Sequence, residues 1–210
     1  YQASLVDKAA SMLGLHERDD KEALKNYLRQ SGTKSGQIDP EQTRWCAAFV
    51  NSTLAQSGIT PTGSNVAASY MNWGELKAAS EVAAGDVLVK EGHVGLSTGQ
   101  TRMVNGRLQM QMLGGNQSNR VTNNNWVDAD TIQVRRAREQ DYDPEVLEEI
   151  KRNEMSEKAV VALQQRQQQS GAVVQEPSST VPGDNLSQNQ QRPSPEQQRL
   201  QRDQQRQQSR

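Results

Sequence analysis

Arg44-Trp45-Cys46-Ala47-Ala48-Phe49-Val50-Asn51 is the stretch on which the fold of this chain turns, because it carries the only cysteine. Read as a helix, it places Cys46, Phe49, Val50, Thr53 and Leu54 on one stripe, the spacing of a buried helical face. The pattern predicts a helix to about Ser57, with Gly58 as its stop and Thr43 as its N-cap. Cys46 then falls in the first turn, where the helix dipole and free backbone N–H groups favour a thiolate. That placement prepares a nucleophile. It equally suits a small apolar residue being buried, and both readings stand at this point.

Before this stretch, Leu5, Val6, Ala9, Met12 and Leu13 recur at helical spacing, with Gly14 expected to end the helix. Leu24, Tyr27 and Leu28 mark a shorter helix behind the capping candidates Asp19 and Asp20. A Gly/Ser/Thr-rich loop from Ser31 to Pro40 leads to the cysteine. After it, the loop Thr60–Ser64 precedes an expected helix from Asn65 to Trp73, capped by Ser64 or Asn65. The period then changes from helical to alternating. Val87 and Val89, Val94 and Leu96, Leu108 to Met112, and Ile132 and Val134 alternate as half-buried strands do. Asn105-Gly106 between two such runs is a type I′ hairpin signal. Helices first and antiparallel strands second predict an α+β domain.

Composition divides the 210 residues. Hydrophobic residues make up 33% and aromatic residues 4%, and apolar residues thin out beyond Leu163. Residues 1–138 form the expected globular domain. Residues 139–163 read as a charged helix or linker, opened by Asp143 as cap and Pro144 as first helical residue, with a sparse apolar face through Val146, Leu147 and Ile150. Residues 164–210 are a Gln/Arg-rich low-complexity tail, expected to be disordered or partner-bound, with Pro195–Arg210 able to form a solvated helix if held.

The net charge of −1 gives no reason to expect nucleic acid as partner. One cysteine excludes an intrachain disulfide, and with two histidines it offers no zinc spacing, so neither metal nor cofactor is expected. No apolar run is long enough to span a bilayer, and no signal peptide is evident. The chain opens on Tyr1 rather than methionine, as a processed product or a piece of something longer would.

A cysteine nucleophile needs a base, and the base needs a third group to orient it. His16 reads as an exposed loop residue. His93 opens the run His93-Val94-Gly95-Leu96-Ser97, in which Val94 and Leu96 face the core while Gly95 leaves space on the histidine face. A helix-borne cysteine packed against a strand that starts with histidine is the papain-like arrangement.

The resemblance is carried by an ordered set of motifs: Trp45-Cys46-Ala47-Ala48-Phe49-Val50-Asn51, Gly58-Ile59, Thr62-Gly63-Ser64, Trp73-Gly74, Gly85-Asp86-Val87, Gly92-His93-Val94-Gly95 and Leu113-Gly114-Gly115-Asn116-Gln117-Ser118-Asn119. Together with Leu13-Gly14 and Glu17, this set resembles the NlpC/P60 and CHAP superfamily of cell-wall cysteine peptidases and amidases. The resemblance covers roughly Leu5 to Val134. It implies a papain-like domain with N-terminal helices on an antiparallel sheet, Cys46 as nucleophile and His93 as general base. It also implies a polar orienting residue, Asn116 in first place and Gln117 as its competitor. Trp45 and Trp73 are expected as core or cleft-wall residues, with substrate stacking as the lesser role, and Asp86 as a structural turn residue. Arg44 departs from the neutral residue usual before the tryptophan, which bears on substrate preference.

The implied function is hydrolysis of an amide bond in bacterial peptidoglycan, as stem-peptide endopeptidase or N-acetylmuramoyl-L-alanine amidase. The expected setting is a bacteriophage virion-associated lysin acting in the periplasm or cell wall, with residues 139–210 meeting other virion proteins. A secreted antibacterial effector and a non-catalytic virion protein that keeps the hydrolase fold are the alternatives. The geometric expectation is a Cys46 sulfur within about 4 Å of a His93 ring nitrogen.

Overall fold

A computed structural model of the chain describes residues 2–171. The tail from 172 on, with its expected disorder and its Pro195–Arg210 segment, lies outside the described residues. The fold is α+β. Three N-terminal helices, α1 (Gln2–Ala10), α2 (Lys21–Arg29) and α3 (Cys46–Gln56), precede six strands: β1 (Glu75–Lys77), β2 (Val87–Lys90), β3 (His93–Val104), β4 (Arg107–Gln117), β5 (Arg120–Asp128) and β6 (Gln133–Arg136). The strands form one antiparallel sheet in the order β1-β6-β2-β3-β4-β5. A last helix, α4, spans Pro144–Ser170. Its residues through Gln164 belong to the same compact unit as the sheet.

The cysteine helix is buried all round rather than along one stripe. Every residue from Cys46 to Leu54 is buried, because α2 covers one side while β3 and β4 cover the other. A helix enclosed in this way must satisfy its polar side chains internally. Asn51 does so through its amide N–H groups, which donate to Ser35 Oγ at 3.0 Å and the Ser64 carbonyl at 2.9 Å, while its oxygen accepts from the Tyr70 hydroxyl. Thr53 Oγ1 donates to the Phe49 carbonyl at 2.9 Å, so it accepts from the Tyr27 hydroxyl at 2.7 Å. Burial pushes the Tyr27 phenol up to about 12. Phe49 is fully buried, stacked on Tyr27 with centroids 5.2 Å apart, and burial of such a ring contributes about 1.5–3 kcal/mol.

Several local expectations are corrected. Thr43 does not cap α3: its N–H closes a turn on the Asp39 carbonyl at 2.9 Å, and the N-cap position lies two residues later, at Trp45, with no side-chain cap. Cys46 still occupies the first helical turn. Helix α1 ends at Ala10, and Ser11–Gly14 wind down in tighter turns before Gly14 at φ 88°. Asp20 occupies the N-cap of α2 but gives its carboxylate to the His16 N–H at 3.0 Å instead. The segment expected as a helix from Asn65 to Trp73 is a 3-10 helix, Ala67–Asn72. The charged helix continues past Leu163 to Ser170.

Asn105 at φ 50° and Gly106 at φ 77° form the type I′ turn between β3 and β4. A second turn of that kind, Ser118 (φ 55°) and Asn119 (φ 62°), joins β4 to β5 without a glycine. Strand β5 has no place in the alternation read from sequence. Three consecutive asparagines interrupt its apolar pattern, and a register shift in the β4–β5 ladder leaves Val121 in the helix-side core and Val127 in the core on the sheet's other face.

Candidate functional site

His93 is the first residue of β3, reached through a tight turn, Glu91-Gly92, that pairs it directly with Lys90 at the end of β2. Its Nε2 lies 3.0 Å from Gln117 Oε1. The Gln117 amide nitrogen donates to the Thr122 carbonyl at 2.9 Å and to Thr122 Oγ1 at 3.0 Å. A carbonyl only accepts, so the amide nitrogen must face Thr122 and the amide oxygen must face His93. Asn125 Nδ2 donates to that same oxygen at 2.8 Å. Since an amide oxygen cannot donate, His93 carries its proton on Nε2, and Nδ1 keeps the lone pair. The chain of bonds from Thr122 through Gln117 therefore selects one tautomer, with Nδ1 as the basic nitrogen.

The orienting amide is thus Gln117, not Asn116. Asn116, at φ 56° in a register irregularity of the β4–β5 ladder, departs from strand alternation and lines the same cavity as His93 and Gln117 without bonding the imidazole. That cavity, about 490 Å³, is walled by Lys90, His93, Asn116, Gln117, Thr122 and Asn125 together with Ser118 and Asn124. Among the described residues, no carboxylate lines it. The imidazole titrates below the ordinary value of 6.5, chiefly because burial penalises the charged ring. The hydrogen bond to Gln117 acts in the opposite direction, and the positive charges of Lys90 and Arg44 lower it further.

Cys46 is 4% exposed at the start of α3. Its N–H lies at the helix terminus, where backbone donors stand outside the ladder. Among the described residues, no hydrogen bond joins the thiol to His93, and Cys46 is not in the wall of the His93 cavity. What positions the cysteine is a close approach of backbone to helix: a Cβ at Gly115 would stand 2.5 Å from Trp45 Cζ3 and 2.9 Å from Phe49 Cβ. Glycine at 115 therefore lets the N-terminus of α3 settle on β4, two residues from Gln117.

Both tryptophans are core residues. Trp45 is 0% exposed and donates Nε1–H to Glu17 Oε2 at 2.9 Å. Trp73 is 8% exposed, donates to the Thr60 carbonyl at 2.9 Å, and packs edge-on against Tyr70. With their faces packed and their N–H groups spent internally, neither offers a surface for stacking on a substrate. Glu17 is placed by a bond from its N–H to the Asn119 carbonyl at 2.9 Å, so it ties Trp45 to the β4–β5 turn. His16 is a turn former: its Nδ1 accepts the Arg18 N–H at 3.1 Å.

Thr122, Asn125 and Lys90 belong to the site and were not singled out from sequence. Two of them sit on the unrecognised strand β5. Lys90 reads locally as an ordinary polar strand end, and only the pairing across the hairpin brings it beside the imidazole.

Gln117→Ala makes a direct check on the relay. It removes the bond that raises the imidazole pKa, so the His93 titration followed by NMR should move further below 6.5. Rotational freedom of the ring should lower any His93-dependent turnover by up to about 100-fold. An unmoved titration would show that the bond is absent in solution. The sign for stability follows from linkage. The folded state disfavours the imidazolium, so stability is full above the unfolded pKa of 6.5 and falls as pH drops from there through the lowered folded value.

No helix among the described residues is long and apolar enough to cross a membrane. No protein-family model matches the chain, and neither does any of the curated proteins or solved structures compared with it.

Proposed function

We propose that this chain is a cysteine hydrolase that cleaves an amide bond of bacterial peptidoglycan, working at the cell wall as part of a phage virion, with a domain of the NlpC/P60 and CHAP type. The observation that carries the reading is the Thr122–Gln117–His93 relay, which leaves Nδ1 as a neutral acceptor in a chain whose only cysteine opens a buried helix. In the proposed reaction the Cys46 thiol gives its proton to His93 Nδ1 and the sulfur attacks the amide carbonyl. The imidazolium then protonates the departing nitrogen as the C–N bond breaks. Water, deprotonated by the imidazole, hydrolyses the thioester and releases a carboxylic acid. Negative charge on the carbonyl oxygen is met by backbone N–H at the start of α3.

The Cys46–His93 hydrogen bond is expected to form in the substrate complex, where catalytic hydrogen bonds commonly tighten. The burial of Cys46 favours a second reading, a virion protein that keeps this architecture without turnover. Mass spectrometry of muropeptides after digestion of purified sacculi separates the readings. Hydrolysis yields products ending in new free carboxylates at one amide position and identifies the scissile bond. New amides would mean acyl transfer, and an unaltered muropeptide profile would overturn the hydrolase reading.

A further inference from the structure

We infer that Lys90 selects peptides whose leaving-group residue carries a free carboxylate, an inference that rests on the hydrolase reading above. Lys90 and His93 are direct partners in the β2–β3 ladder. Residues directly opposite on antiparallel strands project to the same face, with Cβ atoms about 4.5–5.5 Å apart. Both line the 490 Å³ cavity, whose remaining wall consists of amides and hydroxyls, with no carboxylate. Among the described residues, the Lys90 ammonium makes no ion pair or hydrogen bond. By contrast, Lys21 is held by Asp39 at 2.9 Å and Glu41 at 3.1 Å.

Two of the amides in the wall are committed within the protein, and the others there are neutral. Gln117 spends its amide N–H groups on Thr122, and Asn125 donates to Gln117. The unspent charge in the cavity is that of Lys90, across the ladder from the residue whose imidazole delivers a proton to the departing amine. A carboxylate held there belongs to the residue that supplies this amine. The inference chooses among substrates: an endopeptidase cut in front of a residue with a free carboxylate fits, whereas release of the whole stem peptide from the sugar places no carboxylate on the leaving residue.

The test uses a pair of synthetic stem peptides that differ only in the leaving residue, free acid against carboxamide, with wild-type protein and Lys90→Met, which keeps the length of the stem and removes the charge. Cleavage is followed as kcat and KM, and equilibrium binding of both peptides is measured on the Cys46→Ala background with and without Lys90→Met. Wild type should prefer the acid by about tenfold, mainly in KM, the loss typical of one charge-assisted bond. Lys90→Met should lose that preference, its acid-to-carboxamide ratio of kcat/KM falling to about one. Cleavage with equal rates on acid and amide would overturn the role of Lys90 and keep the hydrolase. Binding preference for the acid that depends on Lys90, without cleavage, would overturn the hydrolase and keep the carboxylate site. Absence of both would overturn both.

Discussion

Cys46→Ala is expected to lower peptidoglycan digestion by at least about 10³-fold, the loss seen when the nucleophile of a covalent mechanism is removed. The expectation rests on arithmetic as much as on placement. The chain has one cysteine, so no second thiol can substitute, and His93 with an acceptor Nδ1 is positioned to work on a proton donor rather than to serve as nucleophile. The structural cost should be small: replacing a thiol by a methyl in a well-packed helix that keeps Ala47, Ala48 and Phe49 lowers stability by about 1 kcal/mol. Far-UV and near-UV circular dichroism of the variant should therefore match wild type. Cys46→Ser completes the comparison, since a hydroxyl fills the space and fails as a nucleophile beside a neutral imidazole. Digestion of sacculi by Cys46→Ala at the wild-type rate would overturn catalysis by the Cys46 sulfur. Loss of digestion in both variants, with native spectra, would support catalysis by sulfur.

Asp86→Ala should be the most destabilising single change outside the helix core. Asp86 is fully buried and holds Arg136 with two bonds, Nε to Oδ1 at 2.8 Å and Nη2 to Oδ2 at 2.9 Å. It also accepts the Ala83 N–H at 2.8 Å. Removing the carboxylate leaves the Ala83 N–H without its acceptor and the guanidinium without its counter-charge, while Arg136 keeps a bond to the Glu81 carbonyl at 2.9 Å and, 28% exposed, can recover some hydration. The full cost of breaking a buried pair, discounted for that exposure, is about 2–4 kcal/mol. For a domain of this size that corresponds to a fall in Tm of roughly 5–12 °C. Guanidinium unfolding of the single variants and of Asp86→Ala/Arg136→Ala supplies the cycle. The double variant should be less destabilised than the sum of the singles, because no charge is then left uncompensated. Simple additivity would mean that the pair does not couple. The pair matters to the site because Asp86 opens β2, and its carbonyl accepts the Ser97 N–H at 2.8 Å. Strand β2 carries Lys90 and sets where His93 begins.

Local chemistry made much of this fold legible. The apolar spacing around Cys46, the glycine after Ser57, the Asp143-Pro144 start of α4 and the Asn105-Gly106 turn each act within a few residues, and each stands where the sequence placed it. So did the change from helical to alternating period that defines the α+β class. What the sequence did not decide lay in pairings across distance. Strand β5 was hidden because its asparagines are poor strand formers in isolation, and it forms because β4 supplies the ladder partner. Asn116 and Gln117 are neighbours with the same chemistry, and only the pairing with β5, where Thr122 takes the Gln117 amide, determines which of them bonds the imidazole. Trp45 and Trp73 could have walled a cleft, but Glu17 and the Thr60 carbonyl take their N–H groups and close them into the core. Lys90 gained significance solely through the hairpin that sets it opposite His93. The sequence by itself determined the four α-helices in outline, the Asn105-Gly106 turn and the residue types able to carry the chemistry. The tertiary structure decided which amide holds the histidine and which nitrogen keeps its lone pair, because hydrogen-bond partners are chosen by register and packing rather than by spacing along the chain.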